Sequence, residues 1–242
     1  MKQKLLFTTL LSISLLSTSA WAADDHGGAV KPKPFVVGKT VTKAVQASIT
    51  PDQAIEILKA GNARFASNQS IKRDDKKQIS QTALGQYPFA SFVACIDSRS
   101  APELVFDQSI GDVFTARVAG NTVNEDIVGS LEYAAKVAGS RTIVVLGHTS
   151  CGAIKGACDG VKMGNLTGLL DKLMPAVNAS KIEGDRTSKN HEFVQDVAEL
   201  NVQQTVQKIR DMSPILKEME DQGKIKIVGA MYNTSNGKVT WY

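Results

Sequence analysis

The chain has 242 residues, 43% hydrophobic and 21% charged, which suits one sizeable globular domain with a full core. Its formal charge is +4; without the leader lysines Lys2 and Lys4 about +2 remains, too weak and dispersed to mark a nucleic-acid surface. Three cysteines, an odd number, argue against a disulfide framework, with Cys151–Cys158 the local pairing if one disulfide forms beside a free thiol.

Residues 1–22 read as a secretory signal peptide. Lys2 and Lys4 form a basic start, Leu5 to Leu16 an apolar stretch, and Ala20-Trp21-Ala22 a small-x-small cleavage site. Cleavage is expected after Ala22, and the periplasm is the expected destination. The apolar run is short for a membrane span, and no later run is longer, so no span is expected after cleavage. Residues 23–49 carry Gly27-Gly28, Pro32 and Pro34 with little periodicity. They read as an arm or linker, with a packing strap around Phe35-Val36-Val37. Residues 50–242 read as the catalytic domain.

That domain opens with a helix: Thr50 as N-cap, Pro51 in the first helical position, and capping-box spacing to Gln53. Residues 69–81 are polar, a solvated segment or short surface helix. Strand and helix signals then alternate. Phe89–Ala94 is a strand, and Val113–Val118 a second one ending at Ala119-Gly120-Asn121. A helix follows with Glu125 and Asp126 in its first turn and Gly139 as its cap. Thr142–Leu146 is a β-branched run, as for a strand buried on both faces. Further helices are expected at Gly152–Cys158, Leu166–Val177, Phe193–Ile209 and from Ser213-Pro214 towards Gly223. Ile225–Met231 is a last core strand and Val239–Trp241 an edge strand. The fold class is therefore α/β, a single domain with a mainly parallel central sheet flanked by helices.

Two of these strands end in metal-ligand residue types. Phe92-Val93-Ala94 runs into Cys95-Ile96-Asp97-Ser98-Arg99, and Ile143-Val144-Val145-Leu146 into Gly147-His148-Thr149-Ser150-Cys151. In parallel sheets the binding crevice lies at the carboxyl ends of the strands. Cys95, His148 and Cys151 form a ligand set whose softness suits zinc, with a fourth position left for water. Asp97 and Arg99, at i and i+2, can pair beside Cys95. Asp97 then accepts a hydrogen bond from a metal-held hydroxide, or itself becomes the fourth ligand in a closed state.

Cys95-x-Asp97-x-Arg99 with His148-x-x-Cys151 resembles the β-class carbonic anhydrases, here a bacterial, exported one. The likeness runs over roughly residues 51–232. It includes Gln86-Tyr87-Pro88, Arg117-Val118-Ala119-Gly120-Asn121 and Glu199-Leu200-Asn201-Val202. The resemblance implies one zinc ion per chain on Cys95, His148 and Cys151, and a catalytic Asp97–Arg99 dyad. It implies Gln86 and Gly152 lining a carbon dioxide/bicarbonate pocket, and reversible hydration of carbon dioxide to bicarbonate and a proton by zinc-bound hydroxide. It also implies a homodimer or homotetramer whose N-terminal helical arm packs on a neighbouring subunit. A related zinc hydrolase of carbon disulfide or carbonyl sulfide and a non-catalytic zinc-binding protein are the alternatives. One branch of the family has an inhibitory bicarbonate site of Trp, Arg and Tyr. Arg117 and Tyr232 match it, but Phe92 stands at the Trp position, so the two can equally be packing residues. His26 and His191 read as solvent-exposed bystanders rather than proton shuttles, and Cys158 as a buried small residue.

Overall fold

The computed structural model describes residues 34–242. The expected leader, its cleavage point, arm residues 23–33 and His26 lie outside these described residues. The strap after them is more ordered than its composition implies. Thr42 caps a short helix, α1 (Lys43–Ser48), too brief for a 3.6-residue period to show in the sequence. Gln46 is buried on it and donates from Nε2 to the carbonyls of Pro88 and Ala138, both at 2.7 Å. Val41 and Ile49 join the core. The boundary expected at residue 50 thus falls within packed structure.

Helix α2 (Pro51–Ala66) begins as its capping box directs: Gln53 N–H donates to Thr50 Oγ1 at 3.2 Å and Thr50 N–H to Gln53 Oε1 at 2.9 Å. Helix α3 (Asp75–Thr82) takes up most of the lysine-rich stretch, capped by Asp74. Five strands follow: β1 (Ala90–Ala94), β2 (Val113–Arg117), β3 (Thr142–His148), β4 (Lys226–Tyr232) and β5 (Val239–Trp241). Their order is β2-β1-β3-β4-β5; the first four are parallel and β5 is antiparallel on β4. Every residue of β1 and β3 is buried, which is why both are continuous apolar runs rather than alternating ones.

The connections are α4 (Pro102–Val105), α5 (Glu125–Glu132), α6 (Gly152–Cys158), α7 (Gly164–Asp171), α8 (Met174–Ala179), α9 (His191–Met212) and α10 (Pro214–Asp221). Helix α5 runs on as one π-turn, Tyr133–Val137. The single helix expected at Leu166–Val177 is two, α7 and α8. Pro175 sits in the first turn of α8, where its missing N–H is harmless; within one continuous helix it would break the ladder.

Side chains alternate across the sheet and build a core on each face. Val93, Ile143 and Val145 pack with Phe193, Val197 and Val202 of α9. Phe92, Ala94, Val144 and Leu146 pack with Leu58 of α2. Val202 of α9 approaches the sheet closely because Gly147 and Gly229 lie beneath it. A Cβ on Gly147 would stand 2.5 Å from one Val202 methyl, and a Cβ on Gly229 2.7 Å from the other.

From β1 the chain goes out to β2 on one side, then returns past β1 to β3 and β4 on the other. The switch lies between β1 and β3, and a crevice opens there at the strands' carboxyl ends. Cys95 and His148 are the residues the chain puts at that point.

Candidate metal centre

Register brings the two motifs together. Ala94 pairs with Leu146, so Cys95 leaves β1 beside Gly147 and one step from His148. Cys151 follows at the start of α6, after a turn in which Ser150 has a left-handed φ of 55°. The ligand atoms of Cys95, His148 and Cys151 all lie within 4.8 Å of one another, and all three residues are buried.

The donors are prepared for a cation. His148 Nδ1 donates to the Thr149 carbonyl at 3.0 Å, a carbonyl being able only to accept. The ring's proton is therefore on Nδ1, and Nε2 presents a bare lone pair. That Nε2 is buried and has no hydrogen-bond partner, a loss that a native protein does not leave uncompensated. The Cys151 thiol, then His148 and the Gly120 N–H (3.4 Å from Sγ), bring the Cys95 thiol down to about 4. Cys151 moves the other way, raised by the Cys95 thiolate and by burial. Two thiols this close give up one proton readily and hold the second until a cation arrives. Two sulfurs and one imidazole nitrogen fit zinc and leave a coordination position open.

Asp97 lies against this cluster, with Oδ2 3.8 Å from His148 Nε2. Arg99 grips it with three bonds: its backbone N–H and Nε to Oδ1, both 3.0 Å, and Nη2 to Oδ2 at 2.9 Å. This grip holds the Asp97 carboxyl down at about 2. The pair is half open to water, Arg99 being 52% and Asp97 17% exposed at the side chain.

The other expected site residues fall in different places. Gly152 opens α6 next to Cys151, and a Cβ there would meet nothing within 4 Å. Gln86 is exposed before the start of β1. The five residues of β1 span roughly 13 Å, so Gln86 precedes the end of that strand opposite to Cys95. Arg117 spends its guanidinium on backbone: Nε donates to the Cys95 carbonyl at 2.8 Å and Nη2 to the Asp97 carbonyl at 2.6 Å. Phe92 is fully buried and stacked on Phe106, ring centroids 4.9 Å apart. Tyr232 is buried at the end of β4 beside His148. His191 is exposed at the start of α9, about 16 Å along that helix from Val202. Cys158 ends α6 half-buried against the core, its thiol raised to about 11 by burial.

Two roles had no sequence signal of their own. Asn201, buried on α9, donates from Nδ2 to the Gly120 carbonyl at 2.8 Å. It thereby anchors the turn whose N–H reaches Cys95 Sγ, and Gly120 itself has a φ of 74° that favours glycine. Thr149 carries the carbonyl that orients His148. The segments around Gly120 and Asn201 are visible in the sequence, but their contact spans a distance that no local pattern encodes.

A family model described as carbonic anhydrase matches residues 90–239. Carbonic anhydrase 2 of Mycobacterium tuberculosis is 34% identical over 197 residues, covering 78% of this chain and 91% of that one. Among solved structures, a β-carbonic anhydrase of Coccomyxa, in complex with acetazolamide, has a TM-score of 0.61 at 26% identity, covering 75% of this chain and 83% of that one. A structure from a study of two tetrameric β-carbonic anhydrases of Sordaria macrospora shares the fold, with a TM-score of 0.60 at 24% identity, covering 75% of this chain and 93% of that one. With a Cys-His-Cys cluster at the switch point of a parallel sheet and these likenesses over most of the described domain, the chain belongs to the β-class carbonic anhydrases, lyases that interconvert carbon dioxide and bicarbonate.

Proposed function

We propose that Cys95, His148 and Cys151 hold one catalytic zinc ion per chain, and that Asp97 with Arg99 serves the reaction beside it. The observation that carries this reading is the orphaned, buried Nε2 of His148 facing two thiols and the Arg99-gripped carboxylate. Zinc, when bound, supplies a Lewis acid that activates water for attack on carbon dioxide. The chain's own residues do the rest. Arg99 keeps Asp97 ionised and turned to the cluster's edge, and Asp97 accepts a hydrogen bond from the attacking water, orienting it. Because the dyad is partly exposed, the released proton has solvent within reach. Gly152 borders open space next to Cys151, where a small substrate has room.

Gln86 reaches such a pocket only from a neighbouring subunit, and a homodimer or homotetramer provides one. Apolar side chains left exposed near both ends of the sheet, Ile79 and Leu84 at one and Ile96 and Leu104 at the other, support such an assembly. A leader of residues 1–22 would export the chain to the periplasm of a bacterium, supported by the Lys2/Lys4, apolar and Ala20-x-Ala22 pattern. Among the described residues no helix is long and apolar enough to cross a membrane. Stopped-flow carbon dioxide hydration with zinc analysis tests the core of the reading. One zinc per chain and hydration abolished by chelation are expected; an active, zinc-free enzyme would refute it.

A further inference from the structure

We infer that Thr149 and Thr234 form a positioning pair that sets the tautomer of His148, and so its ability to bind metal through Nε2. The inference rests on the zinc reading of the cluster and concerns residues outside the ligand set. Thr149 N–H donates to the Tyr232 carbonyl at 2.9 Å, one rung beyond the paired strands β3 and β4. The hydroxyls of Thr149 and Thr234 share a bond of 2.9 Å, and Thr234 N–H donates to Thr149 Oγ1 at 3.0 Å. Thr149 is thus pinned at its backbone nitrogen and at its side chain. What remains is its carbonyl, and that accepts the proton of His148 Nδ1.

The pinning matters because two acceptors compete for the one imidazole proton. The Thr149 carbonyl draws it to Nδ1. Asp97 Oδ2, 3.8 Å from Nε2, draws it to Nε2. A proton on Nε2 would occupy the lone pair that a metal needs. The turn also has reason to shift if released, since Ser150 next to Thr149 is held at a φ of 55°, a conformation that a non-glycine residue leaves readily. Thr234 lies in the loop after β4, far along the chain from His148-x-x-Cys151, yet it closes the turn that carries both of those ligands.

The test uses the full chain as wild type, Thr234→Val, Thr149→Val, the double variant and Thr234→Ser. Zinc affinity is measured by competition with a chromogenic chelator. The imidazole nitrogen NMR shifts of His148 are read in the zinc-free protein, and thermal unfolding of the zinc-free forms serves as control. Thr149→Val, which removes both side-chain bonds, should bind zinc about 10- to 100-fold more weakly. Thr234→Val, which keeps its N–H, should lose less, and the double variant should be no worse than Thr149→Val. Thr234→Ser should stay within about threefold of wild type, outer-shell hydroxyls being the groups that matter. The His148 signal should move from the Nδ1–H form towards Nε2–H in the valine variants. If Thr149→Val fails to fold, Thr149→Ala, which also removes both bonds, carries the same expectation. A Thr149→Val or Thr149→Ala variant that binds zinc as tightly as wild type and keeps the Nδ1–H form would overturn the inference alone, leaving the pair a simple staple. A wild type that takes up no zinc would overturn the metal reading beneath it.

Discussion

Asp97→Asn isolates charge from shape at the centre of the site. The substituted amide keeps one oxygen, which can still accept from Arg99 N–H and Nε as Oδ1 does now at 3.0 Å. Its nitrogen then replaces Oδ2, which accepts from Arg99 Nη2 at 2.9 Å, and two donors face each other. One charge-assisted bond is lost where Arg99 is half exposed, so stability should fall by only about 1 kcal/mol or less. For a chain of this size that is a melting-point change of about 2–4 °C. None of the three metal ligands is touched, so zinc should stay near one per chain. The attacking water loses its anionic hydrogen-bond acceptor, a charge-assisted bond worth about 1.5–3 kcal/mol, or roughly 10- to 150-fold in rate. Stopped-flow hydration, metal analysis and thermal unfolding on the same preparation separate these effects. A rate within about threefold of wild type at full zinc occupancy would refute the role given to Asp97.

Three further predictions test the supports. Arg117→Ala removes two guanidinium bonds to the Cys95 and Asp97 carbonyls; loss of about 1–2 kcal/mol of alignment should slow hydration about 5- to 30-fold with zinc retained. Millimolar guanidinium should restore part of that rate, and no loss in the variant would mark Arg117 as a bystander. Gly147→Ala places a Cβ 2.5 Å from Val202 and 2.9 Å from the Met231 methyl, which should destabilise the protein by about 1–3 kcal/mol; an unchanged melting point would show that α9 yields freely. Asp112 is buried, and burial raises its carboxyl to about 6 against hydrogen bonds from Ser109. The folded state then holds this proton more tightly than the unfolded one, so its contribution falls as pH rises from about 4 to about 6, by about 3 kcal/mol in total. Asp112→Asn should flatten that part of the stability curve, as followed by urea unfolding across pH; an unaltered slope would assign the effect to other groups.

The legibility of this chain in its sequence follows the range of the interactions involved. Capping at Thr50, the buried runs of β1 and β3 and the Gly139 stop are local, and the structure has them where periodicity and turn chemistry place them. Helix α1 is not legible because six residues cannot display a period, and the break between α7 and α8 because an apolar pattern running from Leu166 to Val177 hides that Pro175 belongs to the first turn of a new helix. The ligand set was legible for a different reason. A parallel sheet collects its strand ends on one side, so two ligand-bearing strand ends imply one site even before their pairing is known. The supports of that site follow no such rule. Arg117 reaches Cys95 from the neighbouring strand, Asn201 reaches Gly120 from α9, and Thr234 reaches Thr149 from beyond β4.

Arg117 and Asn201 act on backbone directly and Thr234 through the Thr149 hydroxyl, and that decides how the site tolerates change. Arg117 holds carbonyls on either side of Ile96, Asn201 holds the Gly120 carbonyl, and Thr234 holds the residue whose carbonyl faces His148. A ligand side chain can be no better placed than the backbone that carries it, and Cys95 and Cys151 lie past the sheet's own hydrogen-bond ladder. Without braces, Cys95 and the turn that joins His148 to Cys151 would be free to separate, and the close pair of thiols would favour separation once both ionise. The braces therefore oppose the repulsion that the metal-binding form of the cluster creates. Their removal should weaken metal retention or rate while leaving the two cores, which lie on the faces of the sheet, largely as they are.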